Sequence, residues 1–328
     1  MNVSSSSLNK PIIAIYLRHS SVTCWQMTAA QAAKMAALLP GYDIRLCESQ
    51  EDFQALLPRM RIAITWNFRQ EWLASAQSLQ VISTPAAGKD YFSVQLPPHM
   101  QSWNGRFHGQ IIGETAVGAL LAMCRGLFAA NHNMGGESWP RAEISALQTT
   151  LRGSRAVILG FGRIGQCIGK MLKPFGVQIA GMRRNLQTTP AWFEAGDQIF
   201  NSSGLDSKLG EADHLILCLP RSPETDLILD QRRLALLPAH ATVSNYGRGN
   251  AIDISALQNA LQQQRLRAAF LDVFPEEPLP ENSSLLSCPN LWRLPHLSAV
   301  ATDYLDLYIN DFISQLRDSE KLSALSGG

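Results

Sequence analysis

Residues Gly160-Phe161-Gly162-Arg163-Ile164-Gly165 fit the pattern G-x-G-x-x-G, directly after an apolar run, Arg155 to Leu159, and before an amphipathic stretch, Ile164 to Phe175. A strand, a glycine turn and a helix in that order constrain the fold of this 328-residue chain more than any other feature, because they require a βαβ unit in a parallel sheet. Each glycine has its own reason. Gly160 permits the tight turn, Gly162 lets the backbone approach a pyrophosphate, and Gly165 lets the helix pack closely on the strand. Arg163 and Ile164 open the helix whose N-terminus stabilises the phosphate charge. Glycines also serve ordinary turns, but the strand before and the helix after favour dinucleotide binding.

In such a unit the second strand normally ends in Asp or Glu, about twenty residues on, which accepts hydrogen bonds from the adenosine ribose. Here the strand Val177 to Met182 runs into Arg183-Arg184. A carboxylate repels a 2′-phosphate and a guanidinium binds it in a bidentate fork, so this strand end favours NADP over NAD. The plainer reading of two arginines there is a solvated loop.

The alternation of strand and helix runs through the chain, whose length suggests two domains. Apolar runs at Pro11 to Tyr16, Arg61 to Thr65 and Gln80 to Ser83 are separated by helical patterns. A looser stretch, Pro97 to Gly113, leads into an expected helix, Glu114 to Ala130, and a second expected loop, Asn131 to Thr150. Beyond the glycine loop come strands at His214 to Leu219, Thr242 to Asn245, Ala268 to Val273 and Leu291 to Leu294, with helices at Gln231 to Leu237 and Ile254 to Gln263. This is the rhythm of a doubly wound α/β fold. A last helix, Thr302 to Leu322, has too little apolar surface to stand alone.

Charge and cysteine content narrow the function classes. Lys and Arg total 28 against 27 Asp and Glu, so no overall basic field points to nucleic acid or an anionic membrane. Met1 to Lys10 is polar, and the apolar stretch Ala116 to Ala130 is short for a bilayer and broken by Arg125, which reads as a cytosolic protein. Six scattered cysteines form no CxxC pair or Cys/His cluster, so free thiols and no structural metal are expected.

Three segments that follow strands carry charged groups: Asn245-Tyr246-Gly247-Arg248-Gly249, Asp272 to Pro280, which includes Glu277, and Leu294-Pro295-His296-Leu297. The carboxyl ends of strands are where an open α/β sheet binds its ligand. With these segments, Gly113-Glu114-Thr115-Ala116, Trp139, the glycine loop and Leu219-Pro220-Arg221-Ser222-Pro223-Glu224-Thr225, most of the chain resembles the D-isomer-specific 2-hydroxyacid dehydrogenase family. The details are most similar to its glyoxylate and hydroxypyruvate reductase side.

The resemblance implies two Rossmann-like or flavodoxin-like domains with doubly wound parallel sheets. A substrate domain, 1–104 plus 297–328, would hold an inserted NAD(P)-binding domain, 105–296, the cleft closing on both ligands. It assigns Arg248 to the carboxylate and carbonyl of a small 2-oxo acid, His296 to proton transfer and Glu277 to the partner of His296. The chemistry agrees: hydride transfer to a carbonyl leaves an alkoxide needing a proton, and imidazole titrates near neutral pH. A carboxylate raises and orients the imidazole, and Arg presents a fork to a carboxylate. Singly, each has a plainer reading: a surface arginine, a solvated loop acid, a packed or turn histidine.

The resemblance places Asp272 on the nicotinamide carboxamide, Tyr246 and Gly247 beside the cofactor, and Pro220 against the adenosine. Asp272 is equally a turn-starting residue and Pro220 a strand stop. On the substrate side, Ala86-Ala87-Gly88-Lys89-Asp90 is similar to the family loop whose N–H groups bind the substrate carboxylate, through Ala87 and Gly88. It departs from the usual residues at Ala86 and Lys89, and an exposed lysine there reads as solvated. Trp66 and Phe68 either restrict the substrate pocket or pack in the core, and His108 reads first as loop packing. Family members are usually homodimers.

The alternatives are a dinucleotide-sensing, corepressor-like protein of the same fold, and a dehydrogenase for another small anion. Glu277, where formate enzymes of the family carry Gln, argues against formate, and Lys89 stands too late in its loop for a phosphite enzyme.

Overall fold

The computed structural model describes residues 10–88, 90, 94–133, 139–186 and 189–326. The chain divides into two compact units, Met1–His108 with Val300–Gly328, and Gly109–Ala299. In the first, strands β1 (Ile12–Tyr16), β2 (Asp43–Leu46), β3 (Met60–Thr65), β4 (Val81–Thr84) and β5 (Gln101–Asn104) form a parallel sheet in the order β2-β1-β3-β4-β5. Ile12 to Ile15 are buried without alternation, as expected of a strand covered on both faces. Helices α1 (Ala29–Leu38) and α2 (Gln50–Ala55) begin at capping boxes, Thr28 with Gln31 and Ser49 with Asp52.

The second unit opens with α3 (Gly109–Cys124), α4 (Leu127–Asn133) and α5 (Arg141–Leu147). Then follow β6 (Arg155–Leu159), α6 (Arg163–Leu172), β7 (Gln178–Met182), β8 (Gln198–Phe200), α7 (Leu205–Leu209), β9 (His214–Leu217), α8 (Gln231–Leu234), β10 (Thr242–Asn245), α9 (Ile254–Gln262), β11 (Ala268–Leu271) and β12 (Leu291–Arg293). All seven strands are parallel, in the order β12-β11-β10-β9-β6-β7-β8. The order runs outward in both directions from β6 and β9. That reversal is the switch point at which a doubly wound sheet leaves a crevice beyond its carboxyl ends.

The chain returns to the first unit as α10 (Tyr304–Ser326). Tyr304, Tyr308, Phe312 and Leu316, each four residues apart, make a buried stripe, and Tyr308 OH lies 2.7 Å from Ser83 Oγ on β4. No helix among the described residues is long and apolar enough to cross a membrane.

Several boundaries differ from the sequence reading. The expected loop Pro97 to Gly113 contains β5, a short edge strand that buries Trp103 alone, and the first turn of α3. Glycine disfavours helix, yet a Cβ at Gly109 would meet Cys167 Sγ at 2.6 Å and one at Gly113 would meet Met171 Sδ at 2.4 Å. Close packing of α3 on α6 selects those glycines and overrides propensity. The expected helix Glu114 to Ala130 is broken at Gly126, whose φ is +65°, and the expected loop Asn131 to Thr150 contains α5.

Candidate active site

Glu277 and His296 follow different strands, β11 and β12, and meet beyond their ends. His296 Nδ1 donates to Glu277 Oε2 at 2.8 Å, and the other carboxylate oxygen accepts from the Phe274 N–H at 2.8 Å. Both side chains are partly open, 47% and 36% exposed, which leaves the imidazole edge accessible. The Glu277 hydrogen bond raises the His296 pKa above its ordinary 6.5; burial and the Arg248 charge oppose this, and the charges of Glu277 and Asp272 reinforce it. Burial alone would raise the Glu277 carboxyl, but the bonds from His296 and Phe274 and the charges of His296 and Arg248 hold it below its ordinary value. Each partner thus favours the charged form of the other.

Arg248 stands at the end of β10, on a turn bracketed by the Asn245 side chain. Asn245 Nδ2 donates to Arg248 O at 3.0 Å and its Oδ1 accepts from the Gly247 N–H at 3.0 Å. Arg248 Nη1 donates to the Gly247 carbonyl at 2.8 Å. A Cβ on Gly249 would lie 1.9 Å from the Phe274 carbonyl carbon, so only glycine lets this turn approach the Phe274 to Glu277 loop. An apolar cavity of about 640 Å³ lies beside the dyad, lined by Phe274, Pro278, Leu279, Leu286 and Leu294 among others.

Asp272 is fully buried and its carboxylate is engaged within the protein. Oδ1 accepts from the Leu297 and Ser298 N–H groups at 2.9 and 3.0 Å, and Oδ2 accepts from the Ser298 hydroxyl. Burial raises its pKa, opposed by the Ser298 bonds and the His296 charge. Tyr246, the residue after β10, is buried in the hydrophobic cluster with Phe270, ring centroids 5.8 Å apart. Its side chain therefore stands in the core, and only its backbone is left at the strand end.

The glycine loop fits a dinucleotide. Gly160 has φ +91°, with space closed by the Cys218 carbonyl, while a Cβ on Gly162 would meet nothing within 4 Å, which is the open side a pyrophosphate needs. Gly162, the N-cap of α6, has no side chain to accept from the first N–H groups of the helix, at Arg163, Ile164 and Gly165. Arg183 follows β7 directly, its N–H bonded to Phe200 O and its Nε to Asn185 O. Exposed Arg184 lies 3.6 Å from Glu224, on the loop that begins at exposed Pro220. The loops after β7 and β9 thus meet.

In the first unit, exposed Ala87 and half-buried Gly88 follow β4, and Asn104 Nδ2 donates to Gly88 O at 2.8 Å. Lys89 lies outside the described residues. Trp66 is half-buried, its Nε1 donating to Trp25 O at 2.9 Å, within an aromatic group that includes Trp25 at 5.7 Å and Tyr304 at 6.2 Å. Phe68 is buried in the core against Trp72. His108 is packed, its Nε2 2.9 Å from Tyr304 OH, and burial lowers its pKa to about 4. Asn245, Ser298 and the Trp25 and Tyr304 partners of Trp66 were not singled out from sequence. Of these only Asn245, a turn former at the last position of a strand, carries a local signal. No group of three or more His, Cys, Asp or Glu among the described residues could hold a metal ion.

Residues 117–298 match the model of the D-isomer specific 2-hydroxyacid dehydrogenase NAD binding domain. The chain is similar to D-3-phosphoglycerate dehydrogenase of Methanocaldococcus jannaschii, 29% identical over 77% of this chain, and spans only 47% of that protein's length. It is 30% identical to glyoxylate reductase of Pyrococcus furiosus over 78% of this chain and 76% of that protein. Among solved structures, a D-isomer specific 2-hydroxyacid dehydrogenase family protein from Aeromonas salmonicida matches with a TM-score of 0.74 at 27% identity, covering 94% of this chain and 97% of that one.

Proposed function

Because this chain belongs to the D-isomer-specific 2-hydroxyacid dehydrogenase family, we propose that it reduces a small 2-oxo acid of the glyoxylate or hydroxypyruvate kind to a D-2-hydroxy acid with NADPH. The observation that carries this reading is the Glu277–His296 hydrogen bond at the carboxyl edge of the sheet that also bears the glycine loop and Arg248. In this reading Gly109–Ala299 is the nucleotide domain and Met1–His108 with Val300–Gly328 the substrate domain. The enzyme is taken as a cytosolic homodimer.

The first turn of α6, Gly162 and the strand end at Arg183-Arg184 would hold the dinucleotide, with the backbone at Tyr246-Gly247 and Pro220 along its course. The reduced nicotinamide, when bound, supplies hydride to the carbonyl carbon. Arg248 pairs its fork with the substrate carboxylate and draws electron density toward the carbonyl oxygen. His296, protonated at both nitrogens, donates from Nε2 to that oxygen while Nδ1 stays bonded to Glu277. Glu277 remains ionised and keeps the ring from turning. Ala87 and Gly88 supply backbone N–H groups to the carboxylate, and Trp66 bounds the substituent.

The test is a matrix of initial rates for glyoxylate, hydroxypyruvate, pyruvate and a phenyl-substituted 2-oxo acid, each with NADPH and NADH. Turnover that favours NADPH and small oxo acids is the expected result. Tight NADPH binding with no turnover of any of them would overturn the reductase reading.

A further inference from the structure

We infer that Ser298, through its hydroxyl bond to the Asp272 carboxylate, is a positioning residue that holds His296 in a left-handed backbone conformation. The inference rests on the acid–base reading of His296 given above.

His296 has φ +53°, a left-handed conformation that is uncommon for a residue with a Cβ and is held here by specific bonds. The bonds that impose it converge on Asp272. The His296 N–H donates to the Asp272 carbonyl at 2.8 Å and to Leu294 O at 3.0 Å, and the next two N–H groups, Leu297 and Ser298, both donate to Asp272 Oδ1. Two consecutive N–H groups reach one oxygen because the chain turns at His296. That leaves Oδ2, on a residue 1% exposed, to be satisfied by the Ser298 hydroxyl. A buried carboxylate oxygen without a donor is costly, and the group relieves the cost by rotating or taking up a proton. Either change weakens Oδ1 as the acceptor that holds the turn.

Ser298 is held from the other side as well. Its carbonyl accepts from Thr115 Oγ1 on α3 at 3.0 Å. The turn that carries the imidazole is thus tied to β11 through a side chain and to α3 through the backbone. The charged groups that act on His296 are Glu277, Asp272 and Arg248, and His296 is the charge that acts on Asp272.

The test compares Ser298→Ala, Ser298→Thr and Thr115→Val with the unaltered full chain. Its readouts are the His296 imidazole titration by NMR, without substrate or cofactor, then NADPH affinity and the pH profile of oxo-acid reduction. Ser298→Ala is expected to lower the His296 titration midpoint by roughly half a pH unit or more, as the Asp272 charge is lost or turned away. It should also cut kcat about fivefold to tenfold, leaving NADPH affinity within about twofold. Ser298→Thr keeps the hydroxyl and should restore both; Thr115→Val should give a smaller change in the same direction. An unaltered titration and kcat in a folded Ser298→Ala protein would overturn the inference. So would lost NADPH affinity at constant kcat, which would make Asp272 a cofactor contact. If Ser298→Ala does not fold, an unaltered titration in Thr115→Val overturns it. The titration needs no turnover, so a protein that reduces no oxo acid fails the functional reading without touching this result.

Discussion

His296 Nδ1 and Glu277 Oε2 lie 2.8 Å apart although the residues follow different strands, and this pair raises the imidazole pKa while holding the carboxyl down. In the proposed reaction reduction draws its proton from the imidazolium, so the rate should be full below the His296 pKa and fall as pH rises through it. Glu277→Gln keeps an acceptor for Nδ1–H but removes the charge. The alkaline limb of the reduction profile should move down by about one pH unit, and the rate at pH 8 should drop about tenfold. Initial rates across pH with saturating NADPH measure this, and an unmoved limb would remove Glu277 from the pair.

Arg248 combines a permanent charge with a planar fork, and Lys retains only the charge. Arg248→Lys should therefore lower kcat/KM for the oxo acid by about 10- to 100-fold, through both KM and kcat, if the fork binds the carboxylate and polarises the carbonyl as proposed. NADPH affinity, read by fluorescence titration, should stay within about twofold. Equal loss on both ligands would mean that Arg248 supports the loop rather than the substrate.

The order of motifs along the chain was enough to place the glycine loop, the two arginines and the three charged segments at strand ends, because each is a local pattern tied to one strand. Pairings between segments were not legible in the same way. Ser298 reaches Asp272 across 26 positions, and nothing around Ser298 in the sequence marks it. Tyr246 stands two residues before Arg248 in the chain, but its side chain packs against Phe270 in the core, a pairing across 24 positions that no local pattern marks. The first turn of α3 was hidden because Gly109 and Gly113 are chosen by Cys167 and Met171 on α6. The short edge strands β2 and β8 are not legible because four and three residues are too few for a period to stand out from its surroundings. Trp66 could not be separated from Phe68 by sequence; the fold puts Phe68 in the core and leaves Trp66 half-buried among Trp25 and Tyr304.

Two buried histidines make the fold sensitive to acid. Burial lowers His108 in the first unit and His214 in the second to about 4, and His214 Nδ1 lies 2.9 Å from Thr242 Oγ1. Both are neutral when folded and titrate near 6.5 when unfolded. Their contribution is therefore complete above pH 6.5 and is lost as pH falls toward 4, by about 2 kcal/mol for each at pH 5. Denaturation midpoints should fall from pH 7 to pH 5. His214→Asn, whose amide can take the place of Nδ1, should flatten the dependence for the second unit. Parallel slopes in the two proteins would show that His214 does not carry it.

The proposed preference for NADPH rests on Arg183 and Arg184. Arg183 is fixed at the end of β7 by Phe200 and Asn185, while Arg184 and Glu224 form an exposed pair, 84% and 71% open, which contributes little to stability. A 2′-phosphate brought to this strand end would meet Arg183 directly and compete with Glu224 for Arg184. Arg183→Asp should raise the NADPH KM about 100-fold, since it both removes a cation and adds a repelling charge, and should leave the NADH KM within about threefold. Glu224→Gln should act oppositely and lower the NADPH KM about twofold by releasing Arg184. Added salt should weaken NADPH more than NADH, because only the former carries the extra phosphate charge. Equal changes for the two cofactors in Arg183→Asp would assign both arginines to a solvated loop and leave the cofactor preference to other contacts.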